Sequence, residues 1–234
     1  MTQKKILLTV GIPLVCLAIA VFVAYKYVNP APPNRLVITT GNGEGDYQTY
    51  AKLYKEIIKE DGVELVIRPS TGATENLKKL KDPKSDVDAG FVQDGLGSAE
   101  EEPDLVSLGS LYYEPIWIFY RAKVAAGGRP LTRFSQLKGM RIAAGQDGGG
   151  TRSLSLRLLK AAGIDETNTR LLALGWQPAV DALIRGEVDV AVFLATPEEA
   201  LIKTLLSDKQ IRLMSVDQAE AITRHIPFLH HLVL

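Results

Sequence analysis

The stretch Arg141–Gly163, RIAAGQDGGGTRSLSLRLLKAAG, decides how the rest of the chain is read. A short apolar run meets a glycine-rich turn. A Thr-Arg pair then opens an amphipathic helix with Leu154, Leu158, Leu159 and Ala162 on one side. Strand, glycine turn and helix in that order form one unit of an α/β sheet. The turn from Gly145 to Gly150 has the span of a Walker loop, G-x-x-x-x-G-K-[ST]. Thr151-Arg152 stands where Lys-Ser/Thr belongs, so the phosphate-reaching lysine and the magnesium-holding hydroxyl are not in their places.

Outward from this stretch the same grammar repeats. RLVITT (35–40) enters GNGEGD (41–46), and Tyr47, Tyr50, Ala51, Tyr54, Ile57 and Ile58 then recur at helical spacing. VELVIRP (63–69) is the next strand, ATENLKKL (73–80) the next helix and DVDAGFVQ (86–93) the third strand. After Arg141–Gly163, TRLLAL (169–174) leads to GWQPAVDALIRGE (175–187) and then to VDVAVFLA (188–195). Val87-Asp88 stands before AGFVQ as Val188-Asp189 stands before VAVFLA. Strands alternating with helices imply parallel sheets covered on both faces. The repetition implies two lobes of similar build; a single larger α/β domain is the plainer alternative. YYEPIWIFYRA (112–122) joins the halves and reads as a crossover strand between lobes, hence part of a hinge, with Pro115 at its start or edge.

Open parallel sheets bind ligands beyond the carboxyl ends of their strands. Each glycine turn lies at such an end, before a helix N-terminus whose unpaired N–H groups and dipole favour an anion. Thr151 can cap its helix and donate to a ligand, and Arg152 can fork onto a carboxylate. Taken alone, the loop reads equally as a tight turn with a solvated arginine. The other turns shift that balance. PSTGATENL (69–77) puts Ser70, Thr71 and Gly72 at a strand-to-helix junction, Gln93 stands just past the third strand, and Thr196 just past its counterpart. Such groups suit the holding of a small polar solute between two lobes.

They suit chemistry poorly. His225, His230 and His231 read as surface or packing residues, Glu100–Glu102 as a solvated loop, and Asp88 and Asp189 as turn residues at strand edges. No G-x-S-x-G elbow is present. No catalytic residue, metal site or cofactor is assigned.

The 234 residues balance 27 acidic against 27 basic side chains, so no global charge points to nucleic acid. The one cysteine, Cys16, excludes structural disulfides. It lies in an uncharged run from Ile6 to Tyr25 that follows Lys4-Lys5. At 1.5 Å per residue the run reaches ~30 Å, about the hydrocarbon thickness of a bilayer. Its length and the lack of a small-x-small site just after it favour an uncleaved N-terminal transmembrane helix over a cleaved signal. Lys4-Lys5 then stays in the cytoplasm and the rest lies outside. NPAPPN (29–34) reads as a stiff spacer.

From Leu36 onward the chain resembles the TAXI-type solute-binding proteins of tripartite ATP-independent periplasmic (TRAP) transporters. The elements come in family order: a glycine-rich turn with a following tyrosine (Gly41 to Tyr47), STGATEN, GFVQ, SLYYEPIWIFYR, LKGMRIAAGQDGGGTR and GEVDVAVFLA. The resemblance implies a two-lobed type II periplasmic-binding-protein fold of α/β class, preceded here by the transmembrane helix. It implies capture of a small organic anion or zwitterion, a carboxylate or an amino acid such as glutamate, and delivery to a TRAP-type permease. The protein would then be a receptor in the inner membrane, single-pass and attached to the bilayer by its N-terminal helix, with its soluble part periplasmic. A sensory or accessory domain of the same fold is the alternative, and a phosphate- or nucleotide-handling enzyme the weakest reading. Carried onto this sequence, the ligand-binding residues are Gly45, Tyr47, Thr71, Gly72, Ala73, Gln93, Glu114, Gly150, Thr151, Arg152 and Thr196. Glu75 and Asn76 match the motif and could instead serve the helix. Glu44 and Asp46 depart from the family's small neutral residues, so they point away or the solute carries a cation. The expected organisation is an anchor over 1–28, a linker over 29–35, lobe 1 over 36–114, hinge strand and lobe 2 over 115–213, and a returning segment from 214. Relatives continue beyond the last residue to complete lobe 1.

Overall fold

The computed structural model describes residues 11–27, 34–43, 45–226 and 228–231. Two compact units divide at Asn34. The first contains helix α1, Ile12–Tyr27, which has no buried residue and leaves Cys16 exposed. Residues 12–25 of the span expected over Ile6 to Tyr25 lie in it. Pro13 sits in the first turn, where its missing N–H is not required. The helix is 16 residues long. Among the described residues no helix is long and apolar enough to cross a membrane. Residues 6–10 of the expected span, and 29–33 of the expected linker, lie outside the described residues.

The second unit, Arg35–Leu234, holds two sheets. The first is built from β1 (Arg35–Thr39), α2 (Asp46–Lys59), β2 (Glu64–Arg68), α3 (Ala73–Lys81) and β3 (Ala89–Gly90), with strand order β2-β1-β3, all parallel. The second begins with β4 (Ile116–Arg121) and continues through β5 (Arg141–Ala143), α4 (Gly150–Ala161), β6 (Arg170–Leu172), α5 (Trp176–Arg185) and β7 (Val190–Leu194). Helices α6 (Ala200–Ser207) and α7 (Ala219–His225) flank β8 (Ile211–Leu213). Its order is β6-β5-β7-β4-β8.

Within that order β6-β5-β7 is a parallel βαβαβ unit that repeats β2-β1-β3, with its first strand in the middle. A side-chain detail repeats with it. Asp88 accepts the N–H of Val37 at 2.8 Å and returns its own N–H to the Val37 carbonyl at 2.9 Å. Asp189 does the same to Arg141, at 3.0 and 2.8 Å, and its carboxylate also takes the Arg141 guanidinium. In both halves an aspartate therefore fixes the start of the third strand against the first.

The aromatic run expected to cross between lobes does not do so. β4 lies inside the second sheet, antiparallel to β7 on one side and β8 on the other, with Trp117, Phe119 and Tyr120 buried. An unbroken apolar alternation on both faces needs cover on both faces, and a strand crossing open ground lacks it. The passage between the sheets is the irregular segment 91–115. The second sheet carries an apolar cluster on each face, one around Ile142, Leu159 and Val190, the other around Phe119, Leu183 and Ile202. The first sheet has a smaller one around Ile38, Ala51, Leu65 and Phe91.

Candidate functional site

Strands of both halves run toward one cleft, half open to solvent, with a cavity volume of about 80 Å³. Gly41 and Asn42 follow β1 there, Thr71–Ala73 follow β2, and Gln93 follows β3. From the second sheet come Gly145, Gln146 and Gly149–Thr151 after β5, and Leu174–Trp176 around the start of α5.

Four helices begin at this cleft, and all four have glycine at the N-cap: Gly45 for α2, Gly72 for α3, Gly149 for α4 and Gly175 for α5. None has a side-chain cap. Of the first-turn N–H groups, which no intrahelical carbonyl can reach, the Glu75 N–H in α3 is taken by Gly148 and Pro178 in α5 has none, while those of Ala73 and Thr74 in α3 and of Gly150, Thr151 and Arg152 in α4 stay open beside the cleft that these glycines line. Thr151, expected to cap α4, is instead its second residue, because the chain turns helical at Gly150. Glycine is required at two of these positions for a further reason. Gly72 has φ 130° and a Cβ on it would lie 3.3 Å from Gly149 Cα; Gly45 has φ 90° and its Cβ would meet the Trp176 ring at 3.4 Å. The loops of the two halves thus approach at backbone distance.

They are also hydrogen-bonded. Gln146 Nε2 donates to the Thr71 carbonyl at 2.6 Å, and the Glu75 N–H donates to the Gly148 carbonyl at 3.3 Å. At the other end of the cleft the Thr196 N–H and hydroxyl each lie 3.2 Å from the Asp46 carboxylate.

Behind the first-half turns sits Asn76, fully buried. Its amide donates to the carbonyls of Thr40 at 2.6 Å and Phe91 at 2.8 Å. Its Oδ1 accepts from the Thr39 hydroxyl at 2.7 Å and lies 2.6 Å from the Ser70 hydroxyl. One side chain therefore ties the ends of all three strands of the first sheet. Glu75 accepts the Thr71 N–H and hydroxyl and pairs with Lys79, each at 2.7 Å. These bonds, Lys79 first, hold its carboxyl down at about 2. Both residues serve the fold of the turn.

Of the expected ligand-binding residues, Gly45, Tyr47, Thr71, Gly72, Ala73, Gln93, Glu114, Gly150 and Thr151 are brought together as the cleft lining. Two are not in it. Thr196 is engaged with Asp46. Arg152 turns away: Nε lies 2.9 Å from the Asp147 carboxylate, Nη2 3.6 Å from Glu166, and Nη1 is buried without a partner. Sequence reasoning missed Gln146 and Trp176. Trp176 follows a strand-end glycine, Gly175, as Ala73 follows Gly72, and that shared pattern was the available signal.

The cleft is acidic. Asp46 and Glu114 line it, and no lysine, arginine or histidine does among the described residues. Burial, and then the charge on Asp46, lift the Glu114 carboxyl to about 7, opposed by a long hydrogen bond from the Tyr112 hydroxyl at 3.4 Å. Burial, then Glu114 and Asp46, push the Tyr47 hydroxyl far above its ordinary value. Glu199, beside Asp46, is raised by burial and by that neighbour. Asp46 therefore does not point away; Glu44 lies outside the described residues.

Comparison with known proteins agrees with this architecture. The chain is similar in structure to the periplasmic aliphatic sulphonate binding protein SsuA from Escherichia coli, at 22% identity and TM-score 0.51, over 79% of this chain and 57% of that one. It is similar to the alkanesulfonate-binding protein SsuA from Xanthomonas axonopodis pv. citri, solved with MOPS, at 21% identity and TM-score 0.52, over 79% and 61%. The effector binding domain of QuiR, solved with shikimate, gives 10% identity and TM-score 0.53 over 79% and 81%. The chain thus spans about three-fifths of the two sulfonate-binding proteins, and the shared feature is the α/β fold of periplasmic binding proteins. No curated protein sequence matches it. The family model that matches residues 38–234 is that of the NMT1-like family, and the chain belongs to that family.

Proposed function

We propose that the protein is an extracytoplasmic solute-binding receptor. Its two sheets form the lobes of a clamp, lobe 1 over 36–114 and lobe 2 over 115–213, that closes on a small organic carboxylate or amino acid. The observation that carries this reading is the convergence of four uncapped, glycine-started helix N-termini on one cleft. Unsatisfied N–H groups at helix starts bind anionic groups without further chemistry, each helix end adding roughly half a positive charge. Of the residues expected to contact solute, Gly45, Thr71–Ala73 and Gly150–Thr151 offer backbone or hydroxyl groups, Tyr47 and Gln93 an apolar face and an amide. The ordered motifs shared with TAXI-type proteins support delivery to a TRAP-type permease, and the apolar N-terminal run supports tethering at the inner membrane. No step of this function makes or breaks a covalent bond.

A second reading, a sensory domain that reports occupancy to a partner, draws on the equal likeness to an effector-binding domain. A thermal-shift screen of amino acids, dicarboxylates and oxoacids tests the receptor reading, since a solute bound only to the native state raises the unfolding midpoint. A rise of several degrees for one chemical class supports it; a flat response across all classes contradicts it.

A further inference from the structure

Resting on the receptor reading, we infer that the solute carries a protonated amine or guanidinium and is neutral or cationic overall, and that Glu114 with Asp46 excludes net anions. The cleft and the family define the site; the charges lining it decide which solutes it admits. Two carboxylates, Asp46 and Glu114, line the cleft with no basic side chain among its described residues, and Arg152, next to Thr151 in the chain, is paired with Asp147 outside that lining. Helix N-termini offset some of that charge and can hold one solute carboxylate. A dicarboxylate or sulfonate arriving alone would bring more negative charge to a cleft already short of cations.

A cation fits the remaining features. Glu114 has only the long bond from Tyr112, so it retains acceptor capacity for an ammonium group. The rings of Tyr47, stacked on Phe91, and of Trp176, packed beside Gly45, line the same cleft, and aromatic rings attract cations. Asp46 is fixed by Thr196 and backs Glu114. The groups acting on Glu114 are Asp46 and Tyr47 from α2 and Tyr112 from its own segment, with Glu199 acting on Asp46. All are acidic or neutral, so a solute cation is the missing complement.

The experiment is calorimetric titration of the full chain with L-glutamine and L-arginine, against L-glutamate, succinate and methanesulfonate. The expected result is binding of at least one amine probe of net charge zero or +1, and binding of the three net anions at least tenfold weaker. E114Q is expected to weaken the amine probe at least tenfold. With wild type, that probe's affinity is expected to fall as pH drops from 8 to 6 and Glu114 takes up a proton, and E114Q abolishes this slope. Tighter binding of any net anion, or an unchanged amine affinity in E114Q that still melts cooperatively, overturns the charge rule and leaves the receptor reading standing. Absence of binding by all five probes, in wild type and E114Q alike, overturns both.

Discussion

Replacing Asn76 with alanine tests whether one buried amide holds the first half of the cleft in shape. In the native protein this side chain joins Thr39, Thr40, Ser70 and Phe91. Not all four are stranded by its loss. The Thr40 carbonyl keeps the Ser70 hydroxyl at 2.9 Å, and Ser70 keeps that acceptor. The Thr39 hydroxyl and the Phe91 carbonyl lose their Asn76 partner. Each buried polar group left unpaired costs about 1–3 kcal/mol, so Asn76→Ala should destabilise by about 3 kcal/mol. For a domain of this size that is a fall of roughly 6–12 °C in melting temperature. Urea titration followed by far-UV circular dichroism reads the change directly. Glu75→Gln, one residue away and outside the buried network, sets the scale for comparison, with an expected cost of only about 1 kcal/mol. A loss below about 1 kcal/mol for Asn76→Ala would refute the reasoning, since water or relaxation would then be satisfying the two orphaned groups.

Gly72→Ala forces a side chain into φ 130° and against Gly149, so it should cost about 1–3 kcal/mol and hold the halves apart, seen as a larger radius of gyration in X-ray scattering. Glu75→Gln should cost about 1 kcal/mol near neutral pH. Because folding lowers this carboxyl from 4.5 to about 2, that contribution is present above the unfolded value and fades as pH falls toward 2; equal destabilisation at pH 2 and pH 7 would contradict the assignment. Arg152→Ala, which removes a side chain lying outside the cleft lining, should leave the affinity for any bound solute within about threefold, or ~0.7 kcal/mol. A tenfold loss in calorimetry would mean that Arg152 swings into the occupied cleft.

The alternation of strand and helix was legible because each element announces itself locally, and the glycine turns marked where strands end. Eight of the nine expected site residues in the cleft came together for that reason, since in a parallel sheet strand ends share a side, while Glu114 arrives from the start of the antiparallel β4. What was not legible depends on partners distant in sequence. Asn76 reads as an ordinary helix residue until Thr39, Thr40 and Phe91 are brought to it by the sheet. Arg152 reads as a ligand fork until the loop presents Asp147. The aromatic run Ile116–Arg121 has the same local pattern whether it crosses between sheets or fills the middle of one, and only pairing with β7 and β8 decides. Trp176 carries no such local mark, because Gly175 lacks the hydroxyl neighbours that Gly72 and Gly150 have in Thr71 and Thr151.

Hydrogen–deuterium exchange with and without a solute found by thermal shift tests the central claim most directly. Peptides covering 71–76 and 146–152 contain the first-turn amides of Ala73 and Thr74 in α3 and of Gly150, Thr151 and Arg152 in α4, which have no carbonyl partner until a solute supplies one. The account predicts that both peptides, from opposite sides of the cleft, slow together on binding. Protection confined to one side, or to a surface away from both, would contradict it.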